Sequence, residues 1–290
     1  MIRESQTESF GAGCCVMNDT ASLPKTLTPD QIQQFRDEGY VIVRELFDSN
    51  EVAAMQAELG RLQEAGLLRN VATNGDGVTP SGQKANLQIC PLSPKSDLFR
   101  ALPFSEKVRN TVADLIGPEF HLQLDQIFLK PPRHGAGTNW HQDNAYFGCP
   151  DPLQGVGMWV ALHDAHVANG TMHVVPRAFD RQLAHRRDEG SDHHIRCDIN
   201  ESEDEVVPVE MAAGGALFFN YGVPHCTRKN ETDQARAGLA LHFVHTQYLE
   251  QTRAGKPVRP CLSGKAYTGG ESEYGQKLEG EWEAKVSQQA

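Results

Sequence analysis

The 290-residue sequence has no run approaching about 18 consecutive apolar residues, so no membrane-spanning helix is expected from it. It has no basic surplus. Its 27 lysines and arginines face 38 aspartates and glutamates, a net charge of −11, which argues against nucleic acid as a partner. It has no Cys-x-x-Cys pair, and its seven cysteines, at 14, 15, 90, 149, 197, 226 and 261, are odd in number. A disulfide framework or zinc cluster is therefore not expected, and a reducing cytoplasmic setting fits better. Residues 1–25 lack the basic and apolar regions of a signal peptide and show no hydrophobic period. They read as a disordered tail, with Met17 an alternative start. Gln288-Gln289-Ala290 is not a Ser-Lys-Leu type address. What remains is 39% hydrophobic, with 26 glycines and 16 prolines, and suits one loop-rich β domain with a sizeable core.

The organised chain starts at Thr28. Thr28-Pro29-Asp30-Gln31 joins a capping threonine, a proline at the first helical position and a glutamine at the third, and predicts a helix ending at Gly39. Tyr40-Val41-Ile42-Val43 predicts a strand, and Asp48-Ser49-Asn50 caps a second helix from Glu51 to about Glu64. Residues 69–84 read as a loop near a site mouth, Asn86–Ile89 as a short strand, and Ser105–Ile116 as a third helix. From His121 the period becomes two: Leu122, Leu124, Gln126 and Phe128 fall on one face, Gln123, Asp125, Ile127 and Leu129 on the other. Strands are expected at about 121–130, 138–143, 156–164, 171–175, 206–209, 215–220, 223–227 and 236–247, the pattern of a mainly β barrel or jelly roll. The polar stretch 178–205 is too long for a connection and reads as a lid or surface insert. The domain is taken as 26–250, with 251–290 a polar C-terminal extension packed on it or trailing from it.

The chemistry gathers at Thr138-Asn139-Trp140-His141-Gln142-Asp143-Asn144. Strand residues two apart share a face, so His141 and Asp143 can reach one point. His225 offers a third ligand, and two imidazoles with one carboxylate are the ligand set of non-haem Fe(II) oxygenases. Arg236 then heads an apolar strand with Gly238, Ala240 and His242 on its own face, and the small residues leave room for a diacid. A guanidinium clamps a carboxylate through two parallel hydrogen bonds. The triad with the later arginine points to Fe(II) with 2-oxoglutarate. Lys84, Lys130 and Arg228 are the next basic residues to consider. Asn144, Tyr146 and Phe147, directly after the metal pair, are the candidates for substrate contact. His163, His166 and His173 read as surface or strand residues, and His193-His194 as a solvated loop pair. Three alternatives stay open: a hydrogen-bonded His-Asp pair without metal, a metal-binding jelly roll without turnover, and a cupin-like metal hydrolase or isomerase.

From Leu27 to about Tyr248 the order of these residues resembles the phytanoyl-CoA dioxygenase (PhyH-like) family of Fe(II)/2-oxoglutarate-dependent oxygenases. The resemblance also rests on Asn169-Gly170-Thr171-Met172-His173-Val174-Val175-Pro176 and on Gly214-Gly215-Ala216-Leu217-Phe218-Phe219. It implies a double-stranded β-helix core with flanking helices, and Fe(II), 2-oxoglutarate and O2 as cofactor and cosubstrates. The implied reaction is hydroxylation of a small-molecule C–H bond, with succinate and CO2 as coproducts. It also implies that Arg236 and Thr227 hold the distal carboxylate of 2-oxoglutarate, that Trp159 lines that site, and that Gln126 supplies an amide there. Related halogenases replace the metal carboxylate by a small residue. This chain keeps Asp143, so oxygen insertion is expected. The chain departs from the family at Arg177-Ala178-Phe179, where Gly-Ser-His is usual, and at Gly215, where an acidic residue is usual. It also lacks the longer aromatic and acidic motif that ectoine hydroxylases carry after their His-x-Asp. The resemblance says nothing about oligomeric state.

Overall fold

The computed structural model describes residues 26–200 and 205–289. Cys14, Cys15, Met17 and the rest of the tail lie outside them. The helix signals operate as read. Thr28 accepts a hydrogen bond from Gln31 N–H, Gln31 answers to Thr28 N–H, and α1 (Pro29–Glu38) ends on Gly39 at φ 85°. A Cβ on Gly39 would lie 2.5 Å from Val223 Cγ2, so both its conformation and its packing call for glycine. Asp48 caps α2 (Ser49–Glu64) in the same reciprocal way with Glu51. Short α3 (Asp97–Ala101) and longer α4 (Glu106–Ile116) follow, then α5 (Asn144–Phe147), α6 (Glu271–Tyr274) and α7 (Glu281–Gln289).

The strands are β1 (Tyr40–Val43), β2 (Arg69–Asn70), β3 (Leu87–Ile89), β4 (Phe120–Lys130), β5 (Thr138–His141), β6 (Gly155–Ala161) and β7 (Met172–Val174). After them come β8 (Arg186–Arg187), β9 (Ile195–Arg196), β10 (Val207–Pro208), β11 (Ala216–Asn220), β12 (His225–Thr227), β13 (Arg236–His245) and β14 (Cys261–Ser263). The major antiparallel sheet runs β1-β11-β6-β13-β4-β3-β2, with β14 also paired to β4. The minor sheet runs β10-β7-β12-β5, and β8 and β9 form a separate pair. This is a double-stranded β-helix with helices flanking one sheet.

Period two sorts each central strand between two layers. Val156, Met158 and Val160 of β6, Phe218 of β11, and Leu239, Leu241 and Phe243 of β13 face a core shared with Met55, Leu59 and Leu62 of α2 and Val108 and Val112 of α4. Trp159, Ala161, Leu217, Phe219 and Ala240 face the opposite way, toward Met172 and Val174 of the minor sheet. On β4 the period breaks once. Leu124 pairs with His242 and Leu122 with Phe243, leaving Gln123 as the extra residue of a bulge. Leu122 therefore joins the helix-side core while Leu124 lines the cavity, and the single face read from the sequence divides there.

The C-terminal segment is not peripheral. β14 adds to β4, and Leu278, Trp282 and Val286 enter the helix-side core. Trp282 is fully buried and its Nε1–H donates to Glu51 Oε1 at 2.7 Å. Helix α7 thus closes the core from the α2 side. No helix among the described residues is long and apolar enough to cross a membrane.

Candidate active site

His141 ends β5, and His225 begins β12 directly opposite it in the minor sheet. The ring centroids lie 4.2 Å apart. Each Nδ1 donates to a carbonyl two residues back, His141 to Asn139 O at 2.8 Å and His225 to Val223 O at 2.9 Å. That fixes the tautomer and leaves both Nε2 atoms free to accept. Asp143 completes the group, with Oδ1 3.8 Å from His141 Nε2 and 3.6 Å from His225 Nε2. The three ligand atoms lie within 4.8 Å of one another and all three residues are buried.

Asp143 does not reach this point from a strand. The strand ends at His141, and Asp143 has helical backbone angles, φ −60° and ψ −30°, at the cap of α5. The intervening Gln142 causes the turn. Its buried amide donates to Arg181 O and Gly222 O and accepts Leu183 N–H. The ligands converge through a pinned turn rather than through strand parity.

The electrostatics suit a divalent metal. Burial, with His225 adding to it, pulls His141 down to about 3, and burial also lowers His225, so both imidazoles are neutral at physiological pH. Burial opposes the ionisation of Asp143, but His242 and the two other histidines around it hold the carboxyl below the usual range. His242 Nε2–H donates to Asp143 Oδ2 at 3.0 Å, which turns Oδ1 toward the two ligand imidazoles. The alternation on β13 places His242 on the cavity side, as its parity implies. Its bond to the carboxylate comes from the turn that carries Asp143.

The triad opens into a cavity of about 500 Å³. At one end lie two cations. Arg236 and Lys130 are register partners on β13 and β4, each 1% exposed. Among the described residues neither has an ion-pair partner. Arg236 donates to Gly170 O, its Nε has no acceptor, and burial pulls it down to about 9. Burial, with Arg236 beside it, pulls Lys130 well below the lysine range. The Lys130 ammonium donates to Thr227 Oγ1 at 2.8 Å and to the carbonyls of Gly170 and Arg228. Thr138 N–H also donates to Thr227 Oγ1, at 3.0 Å. With both acceptor positions taken, the Thr227 hydroxyl proton is left to donate to a ligand. A buried guanidinium beside a buried lysine amine, with no ion-pair partner among the described residues, is costly unless an anion joins them. This end of the cavity fits a carboxylate.

Trp159 lines the same end, with the Arg236 guanidinium 5.4 Å from its ring centroid. A Cβ on Gly238 would fall 2.2 Å from Trp159 Nε1, so the room beside Arg236 expected for a diacid is filled at Gly238 by the indole. Gln126 also lines the cavity and accepts from Gln88 Nε2 at 2.9 Å. Of the other basic candidates, Lys84 and Arg228 line a neighbouring cavity instead.

Of the three substrate candidates, Tyr146 and Phe147 line the cavity and Asn144 does not. The Asn144 amide exchanges two hydrogen bonds with the backbone of Cys149 and closes α5. Sequence reasoning placed residues 69–84 near a site mouth and 178–205 as a lid or insert, but named none of the side chains of the outer wall. Arg69, Arg253 and Gly255 line it, as do His193 and His194 from the stretch read as a lid or surface insert. His194 is buried rather than solvated. Burial, with His193 beside it, keeps it neutral.

A model of the phytanoyl-CoA dioxygenase (PhyH) family matches residues 35–238. The chain belongs to this family. It is 24% identical over 264 residues to a mouse (Mus musculus) phytanoyl-CoA dioxygenase domain-containing protein 1, covering 75% of this chain and 90% of the mouse protein. It is 24% identical over 255 residues to an ectoine dioxygenase of Streptomyces anulatus, covering 81% and 84%. Among solved structures it resembles the non-haem α-ketoglutarate-dependent carbocyclase SnoK from nogalamycin biosynthesis, with a TM-score of 0.66 at 18% identity over 82% of this chain and 97% of that one. EvdO2 from Micromonospora carbonacea var. aurantiaca, solved with 2-oxoglutarate, gives a TM-score of 0.60 at 25% identity over 79% and 93%. Family membership and the His-Asp-His group together make this PhyH-family chain an Fe(II)- and 2-oxoglutarate-dependent dioxygenase.

Proposed function

We propose that His141, Asp143 and His225 hold Fe(II), that Arg236, Thr227 and Lys130 hold the distal carboxylate of 2-oxoglutarate, and that a small organic molecule is hydroxylated in the space beside Tyr146 and Phe147. Trp159 and Gln126 line the cosubstrate end. Bound together, Fe(II) and 2-oxoglutarate supply oxygen activation, with succinate and CO2 as coproducts. One observation supports the reading most: an unpaired buried cation pair lines the same cavity as a three-ligand group.

The chain's own residues orient and shield. Asn139 O and Val223 O aim the two imidazoles, and His242 aims the carboxylate. Phe147 and Phe219 screen the ligand group from water, with the Phe219 ring centroid 4.5 Å from that of His225. Asp143 occupies the position that a halide would need, which favours oxygen insertion. Relatives named for ectoine and phytanoyl-CoA support a small-molecule substrate.

The test is a substrate screen with Fe(II), 2-oxoglutarate and O2 in chloride and in bromide, read by product mass spectrometry. The expected product gains one oxygen in both salts, with one succinate formed per product. A halogenated product would overturn the role given to Asp143.

A further inference from the structure

The outer wall of the cavity carries a hydrogen-bond relay that none of the described residues completes. Tyr146, on α5, accepts Ile195 N–H at 3.0 Å, and its hydroxyl lies 3.3 Å from His194 Nδ1. The His194 tautomer sets the direction of the second bond, and one tautomer gives every proton of the group a role. Ile195 N–H is a fixed donor, so the phenol oxygen is the acceptor there. The phenol's own proton is met by these residues only when His194 Nδ1 accepts it. A neutral imidazole that accepts at Nδ1 carries its proton on Nε2.

His194 lines the cavity, and its Nε2 is buried with no hydrogen-bond partner among the described residues. His194 is 8% exposed. Its ring is fixed on three sides: by Phe128 at 5.9 Å, by His193 at 4.1 Å, and by the metal-ligand imidazole of His141 at 6.3 Å between centroids. Its backbone is fixed as well, with Asp188 N–H donating to His194 O at 2.9 Å. The ring therefore cannot swing out to satisfy itself in water. Asn86 Oδ1, on the same cavity, is a second buried polar atom without a partner. A buried donor and a buried acceptor left unmet are destabilising, so two such atoms on residues that line one cavity suit an occupant that meets them.

We propose that His194 is a specificity residue that donates Nε2–H to an oxygen of the substrate, so the substrate is an oxygenated molecule bearing a carbonyl or hydroxyl group close to the oxidised carbon. This rests on the oxygenase reading above and adds the substrate class. Tyr146 acts one step back, as a positioning residue that sets the His194 tautomer. Hydrocarbon-like molecules gain nothing from this wall, because entering it leaves His194 and Asn86 unpaired.

The experiment uses Zn(II)-loaded protein with 2-oxoglutarate and 15N-labelled histidine rings, with His194 assigned by comparison with His194→Phe. Ring NMR is expected to show the Nε2–H tautomer in the wild type and to lose that preference in Tyr146→Phe. Cyclohexanone and cyclohexane serve as probes. Cyclohexanone is expected to shift the His194 Nε2 signal and to bind roughly tenfold more weakly to His194→Phe, whereas cyclohexane binds both proteins alike. A wild-type Nδ1–H tautomer, or cyclohexanone binding that His194→Phe leaves unchanged, would overturn the proposal. Calorimetric 2-oxoglutarate binding to the same samples separates the two readings. If it is retained while the probes fail, only the His194 assignment falls. If the wild type does not bind 2-oxoglutarate, the oxygenase reading falls, and this proposal with it.

Discussion

The cavity has two ends built by different means. At the inner end, His225, Thr227 and Arg236 sit on strands of the jelly roll, and Lys130 ends another. At the outer end, Arg69, His193, His194 and Arg253 come from a two-residue strand, a hairpin insert and the stretch after β13. The inner end is held by sheet register, and its side chains are nearly all buried. The outer end is held by side-chain bonds such as those of Asp192 with Arg69 and His193. A site on a rigid sheet keeps the metal and cosubstrate geometry constant, while a wall of loops and inserts is free to differ between substrates. Metal and cosubstrate chemistry should therefore respond steeply to inner substitutions and hardly at all to outer ones.

The steepest contrast is in metal affinity. His225→Ala or His141→Ala removes one of three ligands, and Mn(II) binding by calorimetry is expected to be nearly abolished. His194→Phe, at the outer end, is expected to leave it within a few fold. Equal losses at both ends would erase the division.

The next contrast is in cosubstrate affinity. Arg236→Ala is expected to weaken 2-oxoglutarate binding by roughly 2–5 kcal/mol, as for truncation of one member of a buried charge pair, with Mn(II) affinity nearly unchanged. Lys130→Met is expected to cost less, about 1–3 kcal/mol, since it acts partly through the Thr227 hydroxyl. If Lys130→Met proves worse than Arg236→Ala, the principal carboxylate clamp is Lys130.

The smallest contrast is in pH dependence without metal. The folded value of His141, about 3, lies below its ordinary 6.5. Between those values the unfolded chain binds a proton that the folded chain refuses, so the unfolded state holds more protons and stability falls as pH falls. Denaturant titration of metal-free protein is expected to show this loss between about pH 6.5 and 4, and His141→Gln to reduce it. A flat profile in the wild type would mean that His141 is not buried as a neutral ring.

Much of the inner end could be read from the sequence because it obeys short rules. Capping residues set α1 and α2, and period two on β13 placed Arg236, Ala240 and His242 together and Leu239, Leu241 and Phe243 apart. Asp143 was found for an inexact reason: its spacing from His141 is right, but a turn pinned by Gln142 delivers it. Leu122 was misplaced because a bulge at Gln123 carries no mark in the residues themselves. At the outer end the lid or insert 178–205 was read but its histidines were taken as solvated, because the stretch has no period and long-range bonds such as Tyr146 to His194 decide where they lie. The C-terminal helix did carry a signal. Trp282 and Val286, four residues apart, mark the buried face of α7 within a polar stretch, and Leu278 joins them from just before the helix.

The central claim is that one cavity joins a metal group to a carboxylate clamp. Calorimetric titration of 2-oxoglutarate into the protein with and without Mn(II) tests it most directly. The account predicts one 2-oxoglutarate per chain, tight only when the metal is present, and loss of that binding in both His225→Ala and Arg236→Ala. Binding that is equally strong without metal, or that survives both substitutions, would contradict it.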